Sequence, residues 1–339
     1  MIFKVKEYTM KNAFTLIELV FVIIVMGIIS MFGADLYFKV YKSYVHVRAM
    51  NQLEARTQNV VTLIASKLED RIPFTTIARI YDEGKNADRP FTSIESATAD
   101  HDTLEWIGQS IESKYASNSN HNVGWSGFMD MNSFVAGTET NAYSFNSQGS
   151  NFNDVSNIIQ RLRFNTDGNF AIIFRDIQID DSNSRYGGIQ NAFGYGGRAD
   201  MVANASRNTG NNERVNITYE AYAHLGKDAI SEQYYLAHTG YAIQPDNVRR
   251  TYTNASGAAV NYEGGSKNFN LRLFYNYRPW TGTRYDANSS SAIIAEDVSL
   301  FRFKDDNGAL AFKLCMRDGG RNFDVSQLDL IICKTQVVF

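Results

Sequence analysis

Lys11-Asn12-Ala13-Phe14-Thr15-Leu16-Ile17-Glu18-Leu19 opens an apolar run that continues to Ala34 and carries one charge, Glu18. Phe14–Ala34 is 21 residues, which as an α-helix is about 31 Å, the thickness of a bilayer's hydrocarbon core. A carboxylate inside lipid costs a few kcal/mol and is kept for a purpose. Two plainer readings compete. A cleaved secretory signal has a basic start and an apolar core of roughly 7–15 residues followed by a small-residue cleavage site. Here the run is longer, and past Ala34 no A-x-A site occurs before the charged helix begins. A simple membrane anchor fits the length but has no use for Glu18.

A short basic leader, Ala13, Phe-Thr-Leu-Ile-Glu-Leu and a long apolar helix together resemble the N-terminus of a type IV prepilin. That resemblance covers about the first 35 residues. It implies that a prepilin peptidase cuts between Ala13 and Phe14, on the cytoplasmic side, and that Phe14 becomes N-methylated. It implies that Glu18, the fifth mature residue, guides filament assembly by pairing with a neighbouring subunit's terminal amine. Gly27 matches the family's glycine within the helix. Ala13 stands where the family usually has Gly, and Asp35 stands where many major pilins have Pro, which points to a minor subunit. Met10-Lys11-Asn12-Ala13 is a complete short leader, so Met10 is an alternative start. Either start leaves Lys11 before the helix, and the positive-inside rule then places the C-terminal bulk across the membrane. The expected location is a bacterial inner membrane, single-pass, with the N-terminus cytoplasmic and the remainder periplasmic.

Beyond Ala34, Leu36, Val40, Tyr44, Val47, Met50, Leu53, Val60, Ile64 and Leu68 recur at spacings of three, four or seven. No Pro interrupts residues 14–72, and Pro73 is a natural stop. The pattern predicts one helix of about 88 Å. The expected organisation is a leader over 1–13, a membrane part over 14–34, an extracytoplasmic helical half over 35–72 and a globular domain over 73–339.

The composition of residues 74–339 shifts to Asn, Ser, Gly and Tyr. Short helices are expected at Thr75–Tyr81, Leu104–Tyr115 and Asp154–Arg163. Strands are expected at Phe170–Phe174, Val215–Ala223, Gln233–Ile243, Asn268–Tyr277, Val298–Phe303, Ala309–Met316 and Leu328–Phe339. Asp180–Arg198, Asn204–Asn212 and Asn254–Ser266 read as loops. The fold class is α+β and, by the resemblance, pilin-like: a long N-terminal helix packed on an antiparallel sheet with inserted loops. Ile293–Phe303, followed by the turn residues Asp305-Asp306-Asn307-Gly308, resembles the end of the larger minor pilins, PilW-like or J-type pseudopilins.

Cys315 and Cys333 are the two cysteines. In an oxidising compartment such a pair usually forms a disulfide, worth roughly 3 kcal/mol on the chain-entropy model. Many pilins carry a C-terminal disulfide loop. Buried free thiols or half of a metal site are the alternatives.

Catalytic patterns are not found. His46, His101, His121, His224 and His238 are scattered, and none forms H-E-x-x-H. Gly124-Trp125-Ser126-Gly127-Phe128 lacks the last Gly of a nucleophile elbow. Phe193-Gly194-Tyr195-Gly196-Gly197 lacks the Gly-Lys-Ser/Thr of a phosphate loop. Asp176, Asp180, Asp181 and Asn183 could gather around Ca²⁺, which some pseudopilins bind, but do not match an EF-hand. The chain is therefore expected to be non-enzymatic, without cofactor or metal. The formal charge is −3, and losing Lys4, Lys6, Lys11 and Glu7 takes it to about −5, which argues against a nucleic-acid surface. Arg249-Arg250 with Tyr252 is too small a patch to change that. Expected partners are prepilin peptidase, other pilins or pseudopilins, the inner-membrane assembly platform and membrane lipid. The expected function is a minor pilin or pseudopilin of a type IV pilus, type II secretion or competence pseudopilus. The rival is a membrane-anchored extracytoplasmic binding or adhesion protein that enters no filament.

Overall fold

The computed structural model describes residues 15–80, 91–116, 123–137, 139, 141–163, 167–175, 188–219, 230–246, 251–253, 259–261, 268–287, 289–318 and 330–339. The chain forms two compact units, the first ending at Glu54 and the second beginning at Ala55. One helix, α1 (Leu16–Glu69), supplies the described part of the first unit and the opening of the second. It stops three residues short of the expected end, just ahead of Pro73. The stripe that continues past Ala34 divides in two. Leu36, Val40, Tyr44, Val47 and Met50 are exposed, whereas Val60, Ile64 and Leu68 are buried core residues.

In the second unit the strands run β1 (Ile77–Arg79), β2 (Phe91–Ser93), β3 (Thr103–Gln109), β4 (Val135–Ala136), β5 (Ala142–Asn146), β6 (Phe170–Phe174), β7 (Ala203–Arg207) and β8 (Arg214–Thr218). They continue with β9 (Tyr234–Asp246), β10 (Thr251–Thr253), β11 (Ala259–Asn261), β12 (Phe269–Tyr277), β13 (Ser290–Asp306), β14 (Ala309–Arg317) and β15 (Ile331–Val338). Short helices α2 (Ile111–Lys114), α3 (Phe152–Arg163) and α4 (Gly188–Ala192) are interspersed. Thirteen strands form one antiparallel sheet along the path β15-β14-β13-β12-β9-β6-β7-β8-β5-β4, with β3, β1 and β2 branching from β9. β10 and β11 pair separately. The architecture is α+β.

β9 is the hinge of this topology. Its first residues pair β6, its later ones pair β12, and its other edge takes β3. Gly108 of β3 lies under the Tyr241 ring of β9, where a Cβ would come within 2.6 Å of Cε2. A glycine within a strand marks this kind of close approach.

Two expected helices are corrected. Thr75–Tyr81 is a 3₁₀ turn at Pro73–Thr75 followed by strand β1. Proline opens the turn, and the β-branched run Thr75-Thr76-Ile77 favours extended backbone. Leu104–Tyr115 is strand β3 and then a single helical turn, α2. Leu104, Ile107 and Ile111 imitate helical spacing, but β3 is paired on both edges and six of its seven residues are buried. Two stretches read as loops also hold structure: α4 lies within Asp180–Arg198, and β7 overlaps Asn204–Asn212. Strand β11 falls within the expected loop Asn254–Ser266.

The expected helix at Asp154–Arg163 is α3, begun two residues earlier. Asn151 caps it, its Oδ1 accepting from the backbone N–H of Asn153 (3.2 Å) and Asp154 (3.3 Å). Arg161 and Arg163 in the last turn complement the helix dipole. Phe152, Val155 and Ile159 enter a core with Phe145, Phe170, Phe174 and Tyr234. The β13–β14 hairpin turns at Asn307 (φ 55°) and Gly308 (φ 86°), a two-residue loop needing positive φ at both positions.

Arg71, just past α1, ties its end to the last strand. Its guanidinium donates to the carbonyls of Leu68 (2.9 Å), Val338 (3.2 Å) and Phe339 (3.4 Å). One of the carbonyls left open at a helix C-terminus is satisfied this way.

Candidate functional site

Glu18 sits in the first turn of α1, within hydrogen-bond reach of the Thr15 hydroxyl at 3.4 Å. It is exposed, as are Leu16, Ile17, Leu19, Phe21, Val22, Val25 and Met26 around it. Phe21, Val22, Val25 and Met26 line a shallow apolar groove together with Glu18. A solvated apolar surface of this extent has no stable place in water. α1 is long and apolar enough to cross a membrane, and a membrane anchor and a signal sequence both fit it. Ala13 and Phe14, the expected cleavage and methylation positions, lie outside the described residues.

The cysteines are joined, Cys315 to Cys333, with Cα atoms 4.0 Å apart. They are directly opposite in the β14–β15 ladder. Converting both to Ser is expected to lower the stability of the second unit by about 3 kcal/mol. Urea unfolding of the detergent-extracted chain, followed by the fluorescence of the buried Trp106, Trp125 and Trp280, checks this. An unchanged midpoint would mean that β15 is held without the disulfide.

A buried charged cluster was not anticipated. Arg79 Nε donates to Glu105 Oε2 at 2.7 Å, and the side chains are 7% and 2% exposed. Tyr277 Oη donates to Glu105 Oε1 at 3.1 Å. The Arg79 guanidinium lies 4.6 Å from the Phe91 ring centre and 5.9 Å from that of Tyr195. Burial raises the Glu105 carboxyl above the usual carboxylate range, against the pull of Arg79 and Tyr277. A cavity of about 20 Å³ borders the pair, lined also by Tyr195, Arg284, Tyr285 and Asp286. That is room for about one water, so the cluster reads as structural.

His238 is the second buried titratable group. Its Nδ1 shares a 2.8 Å hydrogen bond with Ser110 Oγ, which accepts from Ser113 Oγ at 2.8 Å. Ser110 and Ser113 are fully buried and His238 nearly so, so the chain of hydroxyls meets no solvent and offers a substrate no approach. Burial, with the nearby Arg278, Arg163 and Lys67 charges, lowers the His238 pKa to about 3. An unfolded histidine protonates near pH 6.5. As pH falls from about 6.5 towards 3 the unfolded chain therefore takes up a proton that the native chain refuses, and stability drops across that window. His238→Gln, which can still bond Ser110, is expected to remove this part of the pH dependence. Urea midpoints measured from pH 7 to pH 4 give the slope, and an unchanged slope would rule His238 out as its source.

His101 Nδ1 faces Thr98, His46 Nδ1 is buried without a hydrogen bond, and His121 and His224 lie outside the described residues. Ser126 bonds Ser147 and Phe128 within a hydroxyl network that includes Ser150 and Tyr234. Gly194, at φ 95°, is a turn residue packed against the Pro279 carbonyl. Asp176, Asp180, Asp181, Asn183, Arg249 and Arg250 fall outside the described residues. Among the described residues no three His, Cys, Asp or Glu side chains gather as a metal site. No family model matches the chain, and no curated protein or solved structure matches it.

Proposed function

We propose that this chain is a minor pilin or pseudopilin subunit, processed by prepilin peptidase at Ala13–Phe14 and assembled into, or priming, a type IV pilus, type II secretion or competence pseudopilus. α1 anchors it in a bacterial inner membrane with the second unit in the periplasm. The observation that carries this reading is Glu18, the lone charge between Phe14 and Ala34 and one turn into an exposed apolar helix. A plain anchor bears the cost of that carboxylate without using it, whereas a subunit that pairs it with a neighbour's terminal amine recovers the cost on assembly. The small polar cavity and the sealed His238–Ser110 pair support a structural role over an enzymatic one.

The test has two parts. Mass spectrometry of the membrane-extracted protein is expected to find Phe14 as an N-methylated first residue. Glu18→Ala is expected to leave the second unit as protease-resistant as before and to exclude the chain from filaments or pseudopilin complexes. An intact leader in cells with active prepilin peptidase, together with normal incorporation of the Ala variant, would leave the membrane-anchored, filament-free reading in its place.

A further inference from the structure

We propose that Cys315–Cys333 is an exchange-competent disulfide, opened from the edge of the sheet by an external thiolate that attacks Cys333. The inference is independent of the filament reading. It rests on where the two sulfurs sit and what surrounds them.

Side chains of β14 alternate. Leu310, Phe312, Leu314 and Met316 are buried on one face; on the other, which carries Cys315, Ala309 and Ala311 are also buried and Lys313 is exposed. Cys333, opposite it on β15, shares that face with Ile331, Thr335 and Val337, all exposed. Cys315 is 4% exposed whereas Cys333 is exposed. The disulfide thus lies on the outer side of the sheet with one sulfur's residue covered and the other's open.

Exchange requires the attacking thiolate to approach in line with the bond, from the side away from the leaving sulfur, so access decides which sulfur is attacked. Attack on Cys315 would come from β13, where Leu300 stands directly opposite it. Attack on Cys333 comes from the other side of β15, which is the end of the sheet's strand path, with no strand beyond it among the described residues. The open route leads to Cys333, and Cys315 is the leaving group.

Arg302 and Lys313 face each other across β13 and β14 on the same outer face, one row from the disulfide, with Lys304 beyond. Like charges directly opposite are destabilising in a sheet. No carboxylate among the described residues pairs with Arg302 or Lys313, and Lys304 meets only Asp306, at 3.8 Å. Lys313 lies two residues from Cys315 along the strand, about 7 Å, and Arg302 sits on the diagonal, about 7–8 Å away. Cationic side chains in the row beside the disulfide favour a thiolate over a thiol and draw in an anionic thiol.

The chemistry closes without a further reagent. The external thiolate forms a bond to Cys333 Sγ as the Cys315–Cys333 bond breaks, leaving Cys315 as a thiolate. A second thiolate then attacks the external sulfur of the mixed disulfide and releases Cys333 as a thiolate. Two thiols are oxidised to a disulfide, the protein is reduced by two electrons, and the cysteines take protons from water as their environment dictates. β15 still keeps its ladder with β14 and the Arg71 bonds to Val338 and Phe339.

The test uses the full chain in detergent without denaturant, treated with glutathione, quenched by alkylation and mapped by peptide mass spectrometry. The expected species carries glutathione on Cys333 and the alkyl group on Cys315. Arg302→Gln with Lys313→Gln is expected to slow its formation several-fold, and raised ionic strength should slow it on the unaltered chain. Glutathione mainly on Cys315, exchange only after urea unfolding, or a rate indifferent to both salt and the two substitutions would each overturn the proposal. If the double variant fails to fold, the position of the adduct and the salt dependence of the natural chain still decide.

Discussion

Arg79→Ala is expected to destabilise the second unit by about 3–5 kcal/mol, the usual result of removing one partner from a buried ion pair. Glu105 sits in the middle of β3 with a side chain 2% exposed, and its two oxygens are held by Arg79 Nε and Tyr277 Oη. Without the guanidinium the carboxylate must take up a proton, draw in water or push β1 and β3 apart. The loss also empties the space beside Phe91 and Tyr195, so charge and packing fail together. Urea unfolding followed by tryptophan fluorescence reads it, because Trp106 is the residue next to Glu105. Replacing both partners, Arg79→Met with Glu105→Leu, is expected to cost less than Arg79→Ala alone, since no charge is then stranded. A single variant within about 1 kcal/mol of the natural chain would mean that Glu105 reaches water, contrary to its burial.

This pair also marks where sequence reading stops working. α1, strands β6 and β14, and the Asn307-Gly308 turn were legible because each signal is local: an unbroken apolar period, a short β-rich run, two residues suited to positive φ. The two cysteines were legible as a pair because they are the only two, although their direct opposition depends on the register of β14 and β15. Glu105 was not legible. Its partner lies 26 residues earlier, and in isolation a glutamate between Leu104 and Trp106 reads as the polar face of a helix. β7, with the sequence Ala-Asn-Ala-Ser-Arg, carries none of the β-branched or aromatic residues that announce a strand. Its alanines are buried because β6 and β8 flank it on either side. The exposed cations Arg302 and Lys313 flank the Asn307-Gly308 turn, and the ladder sets them face to face beside Cys315. For Glu105 and for β7 the missing information is the partner strand, which periodicity cannot report.

Phe145→Ala is expected to cost about 3–5 kcal/mol as well, by a different route. The side chain is fully buried on β5, with ring centres 5.7 Å from Tyr234 in an edge-on arrangement and 6.2 Å from Phe174. Truncation removes its transfer free energy and leaves a void that its neighbours fill only in part. Those neighbours are constrained: Tyr234 is held through its hydroxyl by Ser147 at 2.6 Å, and Phe174 belongs to a strand buried along its whole length. The void should therefore persist, which places the loss near the upper end of the range. Phe145→Leu keeps most of the volume and should lose clearly less. Because no charge is involved, the Phe145→Ala loss should be the same at pH 5 and pH 7, which separates it from the Arg79 variant, whose stranded carboxylate protonates more readily as pH falls. Urea midpoints at the two pH values make the comparison. A loss that shrinks with acid for Phe145→Ala would show that the cavity had filled with water bonded to the Ser147–Tyr234 hydroxyls instead of remaining an apolar void.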